Sequence, residues 1–100
     1  MEYEVRYTEV FEDWLRGLRN LRAAMKITAR IRRVELGNFG DSKPVGSGVS
    51  ELRIDVGKGY RVYYTVRNKT VLLLCGGDKS SQARDIRRAH QMLKEIQEYL

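Results

Sequence analysis

One cysteine, one histidine and one proline in 100 residues remove several kinds of chemistry at the outset. The single Cys75 has no partner for an internal disulfide, and with His90 as the one histidine the usual zinc sites lack donors, so neither a metal nor a cofactor is expected. Long hydrophobic runs are missing too. The longest, Val71 to Cys75, is far too short to span a bilayer. The opening residues are polar and mixed in charge, unlike a secretory signal, and the expected location is the cytoplasm. No repeat, low-complexity tract or linker interrupts the chain. Its 42% hydrophobic content suits one domain over residues 1–100 with one modest core. Acid is absent from the whole stretch between Trp14 and Val34.

What is abundant is positive charge: 19 Lys and Arg against 13 Asp and Glu, a net +6 with a pI near 9.7. A small basic domain commonly meets RNA, DNA, the ribosome or an acidic protein segment, although a merely well-solvated surface has the same composition. The acid-free stretch carries Arg16, Arg19, Arg22, Lys26, Arg30, Arg32 and Arg33, several of them three or four apart. Each helix there acquires a basic side, either solvated or touching RNA phosphates, with Arg16 and Arg30 as candidate RNA contacts. No aromatics interleave with these cations to stack on single-stranded bases.

The elements follow from spacing. Glu4 to Tyr7 reads as a short strand. Thr8 can cap a helix starting near Glu9, with Phe11, Trp14, Leu15 and Leu18 as its apolar stripe. Asn20 can cap a second helix running to about Leu36, striped by Leu21, Ala24, Met25, Thr28, Ile31 and Val34, and Gly37-Asn38 stops it. An irregular segment from Gly37 to Gly48 contains Lys43-Pro44-Val45 as a short edge strand. Val71 to Cys75 forms a strand that breaks at Gly76-Gly77 into a charged turn. Ser80 or Ser81 can then cap a last helix from about Gln82 to Tyr99, its buried stripe being Ala83, Ile86, Ala89 or His90, Leu93, Ile96 and Leu100. Helices first, a meander second and a helix last give an α+β fold: a short strand and helical hairpin on a twisted antiparallel sheet, with a C-terminal helix.

The central hairpin carries the most functional information. Leu52, Ile54 and Val56 alternate with Glu51, Arg53 and Asp55, and Tyr60, Val62, Tyr64 and Val66 repeat the pattern. A three-residue turn at Gly57-Lys58-Gly59 would set Ile54 opposite Val62, Asp55 opposite Arg61 and Arg53 opposite Tyr63. Arg53 and Arg61 would then be diagonal neighbours on one face, roughly 7–8 Å apart at the backbone, a spacing suited to one phosphodiester. A one-residue slip would drive both arginines into the core.

The set F-x-x-W-L at Phe11 to Leu15, G-N-x-G-D-x-K at Gly37 to Lys43, ELRI, GYRVYY and LLLCGGDKSSQ resembles the RelE/ParE toxin superfamily, more narrowly its phage-Gp49-like or HigB-like branch. That resemblance implies the toxin of a type II toxin–antitoxin pair, whose partner is an antitoxin with a helix-turn-helix domain. RelE-like and HigB-like members cut mRNA on the ribosome without a metal; ParE-like members inhibit DNA gyrase, and a plain nucleic-acid-binding module is a further alternative. By motif, the resemblance makes Arg61 of GYRVYY the arginine on the scissile phosphate, with Arg53 of ELRI and Lys79 completing the catalytic set. Lys43, Tyr63 and Lys58 join Arg16 and Arg30 as expected RNA contacts, Tyr63 by stacking on a base. RelE itself has a tyrosine near its C-terminus in the active site, where this chain reads Ile86-Arg87-Arg88.

The chemistry has its own requirements. Cleavage by the ribose 2′-OH needs a proton acceptor, stabilisation of added phosphate charge, and a proton for the leaving 5′-oxygen. His90, the one conventional acid–base group near neutrality, falls on the apolar stripe of the last helix, where a packing role is expected. An Arg/Lys site is what remains.

Overall fold

The computed structural model describes residues 2–98 and orders them as β1 (Glu4–Tyr7), α1 (Glu9–Arg16), α2 (Leu21–Glu35), β2 (Ser42–Gly46), β3 (Val49–Ile54), β4 (Tyr60–Arg67), β5 (Thr70–Asp78), a 3-10 turn (Lys79–Ser81) and α3 (Gln82–Glu98). The five strands form one sheet in the order β1-β5-β4-β3-β2. All pairs are antiparallel except β1 with β5, which run parallel. Side-chain alternation specifies which face a residue takes but not strand direction, so the parallel edge was not foreseeable. Tyr99 and the stripe residue Leu100 lie outside the described residues. Among those described, no helix is long and apolar enough to cross a membrane.

Both early helices start on the expected caps. Thr8 Oγ1 accepts from Phe11 N at 3.0 Å and donates to Leu74 O at 2.6 Å, tying α1 to β5. Asn20 Oδ1 accepts from Ala23 N at 3.1 Å. Such caps contribute about 1 kcal/mol each. The stripe of α2, however, is rotated from the expected one: Ala23, Ile27, Ile31 and Val34 are buried, while Leu21 and Met25 are 74% and 72% exposed. Burying the stripe through Ile27 removes two isoleucines from water. The alternative through Thr28 would bury a hydroxyl and expose Ile27.

Helices cover both faces of the sheet. On one, α1 and α2 pack Phe11, Ile27, Ile31 and Val34 against Leu52, Ile54, Tyr60, Val62, Tyr64, Val71 and Leu73. On the other, Ala89 and Leu93 of α3 meet Val49, Tyr63, Leu74 and Cys75. Ile86 and Ile96 join this second cluster, whereas Ala83 is exposed. The basic face of the hairpin is therefore roofed over part of its length by α3 rather than open to solvent.

β5 does not break at the paired glycines but runs through them. A Cβ at Gly76 would sit 2.4 Å from ring carbons of Trp14, and one at Gly77 would sit 1.9 Å from Asp85 Oδ2. Glycine at both positions lets α1 and α3 close on opposite faces of the same strand. A bulge pairs Tyr63 with Cys75 and Tyr64 with Leu73, so Leu74 is the extra residue and lies in the same cluster as Cys75.

Gly76→Ala is expected to destabilise the protein by about 1–3 kcal/mol, because the added methyl overpacks against a half-buried indole rather than a flexible side chain. Urea unfolding of the two proteins measures this directly; an unchanged midpoint at constant slope would contradict the packing.

Candidate active site

The hairpin register differs from expectation by two residues. Arg53 stands directly opposite Arg61, Ile54 opposite Tyr60 and Leu52 opposite Val62. The connection is correspondingly longer, running from Asp55 to Gly59, with Gly57 and Gly59 at φ of 54° and 75°. A shift of two keeps every side chain on its face, so the arginines remain neighbours while the expected Asp55–Arg61 pair is lost. Asp55 is exposed. Two guanidinium groups now face each other across adjacent strands, where like charges repel.

A carboxylate relieves that repulsion. Glu51 has no solvent exposure; its Oε1 accepts from Arg53 Nε at 3.1 Å, and its Oε2 accepts from Gln82 Nε2 at 2.9 Å and lies 3.5 Å from Arg61 Nε. The last distance is a charge contact longer than a hydrogen bond, and Arg61 Nε makes none. Burial works to raise the Glu51 pKa, but the bonds from Gln82 and Arg53 and the Arg61 charge outweigh it, and the group ionises below the usual carboxylate range. Glu51 was not singled out in the sequence, although its place two residues before Arg53 on an alternating strand puts it on the arginine face.

Lys43 lies opposite Glu51 on β2, exposed at the rim of the same face. Lys79 is exposed beside Gly59: a Cβ built there would be 3.7 Å from Lys79 Cβ and 3.6 Å from Arg61 Nη1, so Gly59, lacking a side chain, adjoins both the stem of Lys79 and the guanidinium of Arg61. Arg61 Nη1 also donates to Gly59 O at 3.2 Å. Arg53, Arg61, Lys43 and Lys79 thus share one face near the first turn of α3. The arginines differ in reach, with side chains 37% and 12% exposed respectively.

Four expected RNA contacts are placed otherwise. Tyr63 is fully buried under α3 and cannot stack on a base; burial, then the charges of Glu51 and Asp85, push its ionisation far up. Arg30 is spent inside the fold, donating to the carbonyls of Arg53, Phe39 and Asp41 and so pinning α2 to the segment leading into β2. Arg16 lies on α1 in an exposed pair with Glu12 at 2.8 Å, apart from this face. Lys58 lies in the β3–β4 turn and lines a cleft of about 690 Å³, together with Arg19, Arg84, Arg88, Trp14 and Tyr60.

Four further titratable groups, His90, Asp85, Asp78 and Cys75, have structural roles. His90 Nε2 bonds Val45 O at 3.0 Å and ties α3 to β2. Asp85 is buried, accepting from Ser81 Oγ at 2.5 Å. Asp78 caps the 3-10 turn that precedes α3, accepting from Ser80 N at 2.8 Å. Burial and the Asp85 charge push the Cys75 thiol up to about 11, so it is a packing group, protonated at neutral pH. Among the described residues, no three His, Cys, Asp or Glu side chains are placed to share a metal ion.

The sequence profile named "Phage derived protein Gp49-like" matches residues 13–94. The chain belongs to that family. A Haemophilus influenzae protein described as uncharacterized is 52% identical over 97 residues, 96% of this chain and 98% of that one. Among solved structures, the fold is similar to E. coli toxin RelE in the free state, with TM-score 0.74, 18% identity and coverage of 96% of this chain and 99% of the other. It also resembles the RelBE2 toxin–antitoxin complex of Mycobacterium tuberculosis, with TM-score 0.65, 21% identity and coverage of 79% and 100%. For the chromosomal ParDE system of P. aeruginosa the TM-score is 0.63, with 14% identity and coverage of 77% and 96%. The architecture is that of the RelE/ParE toxins.

Two expectations test the electrostatics of this Gp49-like protein. Arg30→Ala removes charged donors from three carbonyls and should cost roughly 1.5–3 kcal/mol of stability, read as a lower urea midpoint. The Glu51 carboxylate, held below its ordinary pKa, stabilises the folded state above the unfolded value of 4.5, and that contribution is lost as pH falls through the lower folded value. Denaturant titrations in steps from neutral pH to below 4 should show wild type losing stability over this window more steeply than Glu51→Gln.

Proposed function

We propose that this Gp49-like protein is the toxin of a type II toxin–antitoxin pair and acts as a metal-independent endoribonuclease on ribosome-bound mRNA. The observation that supports this most is the Arg53–Arg61 pair, directly opposed on β3 and β4, with Lys79 and Arg61 both adjoining Gly59. A phosphodiester bridging such cations is bound in the ground state and held more strongly as its charge grows in the transition state. Arg61 is assigned to the scissile phosphate, Arg53 to its second oxygen, and Lys79 to protonating the leaving 5′-oxygen; as the O2′–P bond forms and the P–O5′ bond breaks, the 2′-OH proton passes to solvent water. Lys43 extends the positive rim along β2.

The partner is an antitoxin with a helix-turn-helix domain and an acidic contact surface, which a +6 protein attracts by electrostatic steering. The structural likenesses to the M. tuberculosis RelBE2 and P. aeruginosa ParDE complexes are consistent with such a partner. Gyrase inhibition is the alternative because the ParDE-type fold is similar over most of the chain. Primer extension on a translated mRNA and a supercoiling assay with the same preparation separate the two.

Arg61→Ala is expected to lower the cleavage rate about a hundred- to a thousandfold, or roughly 2.7–4 kcal/mol of transition-state stabilisation. Because Arg61 is mostly buried beside Glu51, the variant should also be less stable, so the rate is compared per folded molecule. Arg61→Lys should recover only part of the loss, since an ammonium lacks the planar fork. A folded Arg61→Ala protein cutting at the wild-type rate would refute the assignment.

A further inference from the structure

We infer that Glu51 is the positioning residue of the arginine pair: from inside the fold it holds the Nε edges of Arg53 and Arg61, and through Gln82 it ties their orientation to the docking of α3. The inference rests on the nuclease reading of this face, but its geometry stands apart from that reading.

Three observations carry it. First, Glu51 has no solvent exposure yet meets partners from three elements: hydrogen bonds from Arg53 on β3 and Gln82 on α3, and the charge of Arg61 on β4. Sealing a charge from water is costly, and an apolar residue at such a position commonly serves stability at least as well. Second, the contacts are directional. Glu51 meets Arg53 and Arg61 at Nε, on the inner edge of each guanidinium, and Gly59 O takes Arg61 Nη1. Among the described residues, Nη2 of Arg61 and both Nη groups of Arg53 make no hydrogen bond, and Arg61 Nε, also without one, is buried against Glu51. A guanidinium pinned along its inner edge presents the other to a ligand, and pinning both planes removes rotations that binding would otherwise have to freeze.

Third, the charges balance in a useful way. Two opposed arginines and one glutamate sum to +1, which a single phosphodiester neutralises. Without the carboxylate the pair would repel itself and separate. The group is not placed to take a proton from a ribose 2′-OH, because it is sealed from solvent beneath the arginines. It acts through the arginines. Gln82 is the first residue of α3, so its bond to Oε2 at 2.9 Å makes the helix part of the clamp.

The test compares wild type with Glu51→Gln, Glu51→Asp and Gln82→Met. Cleavage of ribosome-bound mRNA is measured over a range of mRNA concentrations, with thermal unfolding and ¹H–¹⁵N spectra of the arginine Nε groups. Glu51→Gln, nearly isosteric but uncharged, should lower kcat about tenfold to a hundredfold, with KM changed by no more than about twofold. Glu51→Asp, which keeps the charge on a shorter stem, should recover part of kcat. Gln82→Met leaves the buried ion contacts in place and should lower kcat about threefold to tenfold. The Arg53 and Arg61 Nε–H signals should be protected from exchange in wild type and lose protection in Glu51→Gln.

A folded Glu51→Gln protein with wild-type kcat overturns the positioning role, as do Nε–H signals that do not change. If Glu51→Gln does not fold, Gln82→Met decides, and unchanged kcat there overturns the inference. A wild-type protein that cuts no mRNA overturns the nuclease reading and the catalytic part of this role; the spectra then decide whether the clamp exists.

Discussion

Sealing one carboxylate away from water governs how the functional face is built. Glu51 sits where β3, β4 and the first turn of α3 converge: Arg53 and Gln82 donate hydrogen bonds to it, and Arg61 faces it as a counter-charge. An uncompensated charge there would be far more costly than any single apolar contact nearby could offset. The two arginines, the glutamine and the docking of α3 are therefore interdependent. An arginine pair that would repel itself in isolation becomes a stable cationic surface because its counter-charge lies beneath it rather than in solvent.

The same economy of space appears on β5. Trp14 presses on Gly76 from one side and Asp85 on Gly77 from the other, so the strand is clamped between α1 and α3 with no room for a methyl group on either face. Thr8 adds a bond from the start of α1 to the Leu74 carbonyl. The Gly77–Asp85 approach brings α3 close to the sheet, while the Trp14 and Thr8 contacts do the same for α1 on the other face. Packing on the two faces of the sheet meets at a single strand.

The surface charge sorts into distinct roles once the side chains are placed. Arg30 fastens the segment between α2 and β3, Arg16 pairs on its own helix, and Lys58 borders a cleft that Arg84, Arg88, Asp78 and Asp85 also line. Lys43, Arg53, Arg61 and Lys79 share the face at the start of α3. A net charge of +6 therefore says little about any one residue: some cations stabilise the fold, and others remain free to meet an anion.

Much of the architecture was legible from local signals. Thr8 and Asn20 as caps, the alternating β3 and β4, the edge strand around Pro44 and the last helix all depend on neighbours in sequence, and the family motifs placed Arg53, Arg61 and Lys79 together. The hairpin register was off by two because both versions leave the same side chains inside, and only the length of the turn distinguishes them. The α2 stripe was misread because that helix carries apolar residues on more than one side, and the sheet decides which are covered. Tyr63 and Glu51 look like surface residues on an alternating strand. They became interior only when α3, beginning some twenty residues later in the chain than Tyr63, folded back over them. By itself the sequence determined the elements, the faces and the chemistry of the basic groups, since these follow from local spacing and residue type. The tertiary structure alone decided which cations are free and which carboxylate orders them, because burial and pairing depend on segments far apart in the chain.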